Sequence, residues 1–471
     1  MGCIMDELLK IVSRINGCLS DYVLIVLLVG SGIFFSIRTR FVQIRCFGEG
    51  MRRAFGNFSL HRRVGKQGLS PFQALATAVA AQVGTGNIVG ASGAILIGGP
   101  GAIFWMWLVA FFGMATIYAE AVLAQNTHVA DESGQYHGGP VYYIKRAFPN
   151  WFGSLLAVWF AVAIIVSLGF MGCMVQANSI GETCANAFGI PTWIVGLIIA
   201  AVAAVIFLGG ISRIAGVAEK LVPTMALIYL AGGALVLIAR IEYLPQTFGL
   251  IFKYAFQPEA LLGGSWGYAI KVAVSQGVKR GLFSNEAGMG STPHAHAAAK
   301  VAKPHDQGVV AMIGVFIDTA VVLTMTALIV ISTIYTGDGP LAGANGGNYA
   351  ELLAAGNLSK TNLVQQAVAS VSTVSVGNIF VAVCLLFFAF STILSWNYFG
   401  KINFHYLFGK RASVLYSITA SLFVLAGTLI KNDLAWELQD MFNQLMVLPN
   451  VMALIALSGI VAASAKRNKL Q

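Results

Sequence analysis

Between positions 71 and 124 the chain is apolar almost without relief, and that run is too long for one membrane crossing. A bilayer core accepts about 20 helical residues, so the run folds as two spans. Gly98-Gly99-Pro100-Gly101 divides them with a tight turn. Similar runs lie near 22–37, 152–185, 192–208, 221–239, 267–299, 309–333, 363–398, 413–430 and 442–463, which makes eleven crossings. Several exceed the length a crossing needs, so they tilt, break or project beyond the bilayer.

Composition agrees. The 471 residues are 57% hydrophobic and 10% charged, with mean hydropathy +0.76; a soluble chain carries about 25% charged residues. The class is an all-α polytopic membrane protein, one transmembrane domain over 1–471. Cys3, Cys18, Cys46, Cys173, Cys184 and Cys384 form no CxxC or Cys/His pattern, so neither zinc nor a disulfide framework is expected. The acidic start Met1-Gly2-Cys3-Ile4-Met5-Asp6-Glu7 lacks a signal peptide's positive charge, and no cleavage is expected.

A net charge of +10 invites a nucleic-acid reading, but its distribution argues against one. Eight of the 29 Lys and Arg fall between Arg38 and Lys66, beside the stripe Phe41, Ile44, Phe47, Met51 and Phe55. The segment 38–69 reads as a basic amphipathic piece on an anionic membrane face; a solvated loop is the alternative. With the N-terminus outside, one set of loops holds 20 basic residues and the opposite set six. That asymmetry puts the C-terminus in the cytoplasm of a multi-pass cell-membrane protein.

Two interruptions break the apolar pattern: Gly84-Thr85-Gly86-Asn87 and Ser284-Asn285-Glu286-Ala287-Gly288-Met289-Gly290-Ser291. Glycine costs roughly 1 kcal/mol in a helix interior, and Asn and Ser compete for backbone groups. Non-helical backbone at membrane depth persists only where protein or a wet cavity satisfies it. Broken helices at matching places in two halves point to a transporter's midplane site. Each opens a run of five spans, 70–240 and 265–464. Five is odd, so the second run enters the membrane inverted. The segment 21–37 is then an extra N-terminal helix.

Other polar residues leave alternatives open. The glycines also fit a packing seam. Lys279, Arg280 and Glu286 neutralise one another across the second break, as a latch or as solute contacts. Glu120 and Asp318 suit proton relays or helix ties. Ser391 and Ser395 share a helix face, as do Thr392 and Trp396, and their hydroxyls suit Na⁺, a hard cation. Gln176 faces a cavity or ties helices. His294 and His296 point about 200° apart on a helix and cannot chelate one ion from it. No nucleophile–base pair is visible, so no catalytic residue and no enzyme activity is expected.

Gly84-Thr85-Gly86-Asn87, Gly98-Gly99-Pro100-Gly101-Ala102-Ile103-Phe104-Trp105, Gly138-Gly139-Pro140, Val175-Gln176-Ala177-Asn178, the 283–291 stretch and Phe388-Ala389-Phe390-Ser391-Thr392 occur together and in order. In this the chain resembles the alanine or glycine:cation symporter family, from about 21 to 464. The resemblance implies a leucine-transporter-type fold with inverted five-helix repeats, and Na⁺-coupled uptake of alanine, glycine or a close relative. It implies no cofactor beyond sodium as coupling ion. Its partners are then the amino acid, Na⁺ and the lipid bilayer, with no nucleic acid. It assigns the substrate carboxylate to Thr85, Gly86 and Asn87, and the pocket lining to Gln176, Phe283, Met289, Thr392 and Trp396. Sodium falls to the carbonyls near Ala81 and Gly84, with Ser391 and Thr392. Gln82 and His294 depart from the family pattern. Proton coupling through Glu286, Asp318 or Glu120 is the alternative, and a passive channel a further one.

Overall fold

Inside a bilayer no water meets backbone N–H and C=O groups, so a spanning segment must close its hydrogen bonds within itself. The computed structural model obeys this almost throughout. It describes residues 2–56, 69–130, 136–257, 266–342, 358–430 and 432–466, nearly all helical. Among the described residues, Val129–Ala130 also pairs antiparallel with Tyr136–His137. Five helices among the described residues are long and apolar enough to cross a membrane: Ala102–Thr127, Trp151–Phe188, Arg213–Ala239, Pro304–Ile334 and Val374–Phe408. Two bent pairs, Pro71–Gln82 with Gly86–Gly98 and Asp433–Ala456 with Ser458–Lys466, raise the number to seven. Ile25–Arg38, Thr192–Phe207 and Ser413–Gly427 are shorter apolar helices.

The inner helices are Ala102–Thr127, packed on Pro304–Val315, and Val374–Phe408, packed on Cys173–Phe188. Gly210–Ala239 stands at the periphery, where Leu227, Leu235 and Ile238 are each about two-thirds exposed or more (71%, 69% and 66%). The turn at 98–101 forms where expected. Gly99 has φ 73°, and a Cβ on Gly101 would lie 2.1 Å from the Tyr254 carbonyl carbon.

Three boundaries differ from expectation. The first helix does not begin near residue 21: Gly2–Cys18 runs through a π-helical turn, Leu19–Leu24, into Ile25–Arg38. The stretch 363–398 is two helices, Leu363–Ala369 and Val374–Phe408. Thr373 starts the second by accepting the Val376 N–H at 3.3 Å, which gives that helix its own N-cap. The basic segment folds as Val42–Arg45 and Phe47–Phe55, while 57–68, with its remaining basic residues, lies outside the described residues. Its expected stripe divides. Phe47 and Met51 pack on the core, whereas Phe41, Ile44 and Phe55 are exposed.

Candidate functional site

The first broken helix begins with a capping box. Ser70 accepts the Gln73 N–H, Gln73 accepts the Ser70 N–H, and Pro71 opens the helix. Pro71–Gln82 stops at Val83, and the chain resumes as a π-helical turn, Gly86–Gly90, leading into Ala91–Gly98 with a 46° bend. Side chains, one from the next turn and others from distant helices, replace the lost helical bonds. The Gly84 N–H goes to Asn87 Oδ1 at 3.0 Å and the Thr85 N–H to Gln176 Oε1 at 3.0 Å. Thr392 donates to the Ala80 carbonyl at 2.9 Å. Only glycine fits at 84: an added Cβ would lie 2.4 Å from Thr392 Oγ1 and 3.0 Å from Gln176 Oε1.

The second break follows Trp266–Asn285. Glu286 takes a left-handed conformation (φ 58°), Gly288 and Gly290 follow with φ 89° and 83°, and helix resumes at Pro293–Ala297. Glu120 holds this loop by accepting from the Gly290 N–H at 2.9 Å and the Gly288 N–H at 3.3 Å. Asn450 braces both sides, donating to Glu120 at 2.6 Å and to the Gly288 carbonyl at 2.9 Å. Glu286 accepts from the Ser291 hydroxyl and from Trp396 Nε1, the latter at 2.5 Å.

The two breaks touch. Gln82 Nε2 donates to the Asn285 carbonyl at 2.7 Å, and the ring of Phe283 packs on Gly86. Asp318 spans both: it accepts from Asn87 Nδ2 at 2.6 Å, Ser284 Oγ at 2.9 Å and Thr319 Oγ1 at 2.7 Å. Asp318 lies in a π-helical stretch, Phe316–Leu323, and a further such stretch, Ile165–Gly172, passes behind Trp396. Wide π turns free carbonyls and re-aim side chains, and they gather at functional sites.

Thr85, Gly86, Gln176, Phe283, Thr392 and Trp396 therefore share one neighbourhood, and the named side chains there are at most 3% exposed. The rings of Phe283 and Trp396 meet edge to face with centroids 5.8 Å apart. Among the described residues, Thr85 Oγ1 and Gln176 Nε2 are buried without a hydrogen-bond partner. Leaving such groups bare costs roughly 1–3 kcal/mol each, so the spot invites a polar occupant.

Other expected residues stand differently. Asn87 has both ends of its amide engaged, by the Gly84 N–H and by Asp318, so it braces the break and has no amide group left for a carboxylate. Met289 is buried within the second break, its N–H on the Glu286 carbonyl at 3.1 Å. The carbonyls that meet Ser391 and Thr392 belong to Ala80 (3.4 and 2.9 Å) and Val83 (3.5 Å to Thr392), each one residue before Ala81 and Gly84.

Lys279 and Arg280 do not pair with Glu286. They pair with Asp440 of Asn432–Ala456, Lys279 at 2.8 Å and Arg280 at 3.1 Å, and Arg280 lies over the Trp436 ring at 4.6 Å. Asp440 and Asn450 were not expected at the site. The polar residues Glu437, Asp440 and Gln444, spaced three and four apart in an apolar helix, were the available signal. His294 and His296 bind separate partners. His294 stacks on Phe399 and bonds Asn403 at 2.8 Å, while His296 bonds Gln307 at 2.8 Å. An apolar cavity of about 530 Å³ lined by Leu75, Val79, Pro223, Leu230 and Ile317 lies apart from these polar groups.

The family model "Sodium:alanine symporter family" matches residues 5–471. A curated relative, the sodium/alanine symporter AgcS of Methanococcus maripaludis, is 38% identical over 98% of this chain and 97% of its own. The amino-acid carrier protein AlsT of Bacillus subtilis is 35% identical over 94% of this chain and 89% of its own. Among solved structures, MhsT in complex with L-phenylalanine superposes with TM-score 0.55 at 14% identity, covering 86% of this chain and all (100%) of that one. At that identity the likeness is one of fold.

Proposed function

Since this chain belongs to the sodium:alanine symporter family, we propose that it carries a small neutral amino acid into the cell together with Na⁺, by alternating access. The unpartnered Thr85 hydroxyl and the unpartnered Gln176 amide nitrogen beside the helix breaks carry this reading. A zwitterion's carboxylate accepts from both, and its ammonium suits carbonyls left free where a helix ends. Phe283 and Trp396 close the remaining side, so a methyl or hydroxymethyl side chain fits better than a large one. Na⁺ takes oxygens only. Its place is among the Ala80 and Val83 carbonyls and the Ser391 and Thr392 hydroxyls, which already converge there.

In this proposal eleven spans form an extra helix and two inverted five-helix repeats, 70–240 and 265–464, of the leucine-transporter type. The N-terminus is outside and the C-terminus cytoplasmic. Ion and zwitterion share one cage, so each raises the other's affinity by the same factor. The membrane potential adds about 2.3 kcal/mol per charge per 100 mV. Labelled alanine uptake into sealed proteoliposomes tests it. We expect accumulation under an inward Na⁺ gradient and none when K⁺ replaces Na⁺, with glycine and serine competing better than phenylalanine. Equal uptake in K⁺ removes the sodium coupling.

A second reading follows from Asp318, the carboxylate that touches both breaks. Proton coupling through it predicts uptake that persists without Na⁺ and disappears in Asp318→Asn.

A further inference from the structure

Cys46 Sγ, a Glu49 carboxylate oxygen and a His305 imidazole nitrogen all lie within 4.8 Å of one another. They come from two helix starts that the sequence keeps far apart. Cys46 is the N-cap position of Phe47–Phe55 and Glu49 lies in its first turn, so both side chains gather at that helix start. His305 opens the helix Pro304–Val315. Gly50 makes the approach possible: its missing Cβ would stand 2.6 Å from the Val309 carbonyl of that second helix. We propose that these residues form a site for a zinc-class divalent cation, distinct from the solute and sodium site.

The donor set is thiolate, imidazole and carboxylate. That combination suits zinc and its neighbours, and it suits sodium, magnesium and calcium poorly. Zinc sits about 2.0–2.3 Å from such atoms, which places tetrahedral ligands about 3.3–3.7 Å apart. Small side-chain rotations close the present spacing to that value. The His305 ring is already aimed, with Nδ1 on the Tyr118 hydroxyl at 2.8 Å and Nε2 facing Glu49 Oε2 at 3.5 Å. When Nδ1 carries the proton, Nε2 keeps its lone pair for a metal; an outer partner on the far ring nitrogen is the usual arrangement around a metal-bound histidine. Arg53 holds the other Glu49 oxygen at 2.8 Å and Asp306 at 3.1 Å, which steers Oε2 toward the ring. Cys46 and His305 are buried and Glu49 is partly exposed, leaving water an approach to the fourth position.

The competing account is a hydrogen-bond relay, Tyr118–His305–Glu49–Arg53–Asp306, that needs no ion. Cys46 has no part in that relay, and it decides the test. Untagged, full-length protein in detergent is titrated with Co²⁺, a spectroscopic stand-in for zinc. We expect a thiolate-to-cobalt charge-transfer band saturating at one equivalent and bleached by Zn²⁺. Cys46→Ser should abolish the band, and Glu49→Gln should weaken binding about 10-fold or more. Size-exclusion profiles verify that each variant is folded. If Cys46→Ser does not fold, Glu49→Gln and His305→Gln carry the test alone. No thiolate band in the wild type, or an equal band in Cys46→Ser, overturns the proposal. So does undiminished affinity in Glu49→Gln or His305→Gln. Alanine uptake is not part of the readout, so this site and the transport reading stand or fall separately.

Discussion

Gln176 divides its amide between two tasks: its oxygen holds the Thr85 N–H at 3.0 Å, and its nitrogen is left for an occupant. Gln176→Ala removes both. The orphaned Thr85 N–H and the lost donor together should raise the KM for alanine by about 5- to 150-fold, equivalent to roughly 1–3 kcal/mol, with normal yield of folded protein. Gly84→Ala is a sharper test, because the new methyl would sit 2.4 Å from the Thr392 hydroxyl. Uptake should fall by a similar or larger factor, and raised alanine should not restore it, because the proposed sodium shell is displaced as well. The sequence showed Gln176 as a lone amide in an apolar span and Gly84 as a glycine among glycines. It could not show Asn87 spending its amide on Asp318, since those residues lie 231 positions apart.

At the scale of elements, two ion-pair clusters on the last long helix, Asn432–Ala456, contrast in burial. Asp440 is 3% exposed and holds both Lys279 and Arg280, whereas Asp433 is 75% exposed and holds Lys360 at 2.9 Å. Removing one partner of a buried pair strands the other charge and costs about 3–5 kcal/mol. The Lys360–Asp433 pair, whose acid lies largely in solvent, is worth about 1 kcal/mol or less. Thermal unfolding in detergent should show Asp440→Asn strongly destabilised and Asp433→Asn close to wild type. The breaks themselves were legible from Gly, Asn and Ser in apolar runs. The partners that hold them open were not: Glu120 meets the N–H groups of Gly288 and Gly290 from another helix, and no local pattern encodes that meeting. The tie between Lys279, Arg280 and Glu286 was expected from adjacency in sequence. It fails because Glu286 turns toward Trp396 and Ser291 while the two cations face Asp440.

For the whole molecule, the proposed joint occupancy of one cage predicts a thermodynamic signature. Alanine should raise the unfolding temperature in Na⁺ and not in K⁺, and at about 100-fold over its Kd the stabilisation should approach 2.7 kcal/mol. The charge asymmetry of the loops predicts orientation. In intact cells an impermeant maleimide should label Ser359→Cys, and label Arg411→Cys only after lysis. Both positions are exposed, and the reverse pattern would invert the proposed topology.

The amino-acid order alone determined the membrane class, the approximate apolar runs, the two places where helices break and the family. Each is written in local composition, because apolar length and helix-breaking residues act within a few turns of chain. Tertiary structure decided which carbonyls meet Ser391 and Thr392, which acid answers Lys279 and Arg280, and that Cys46 comes to face His305. Those outcomes depend on angstrom-scale packing between residues hundreds of positions apart, where a one-residue shift along a helix turns a group about 100° away.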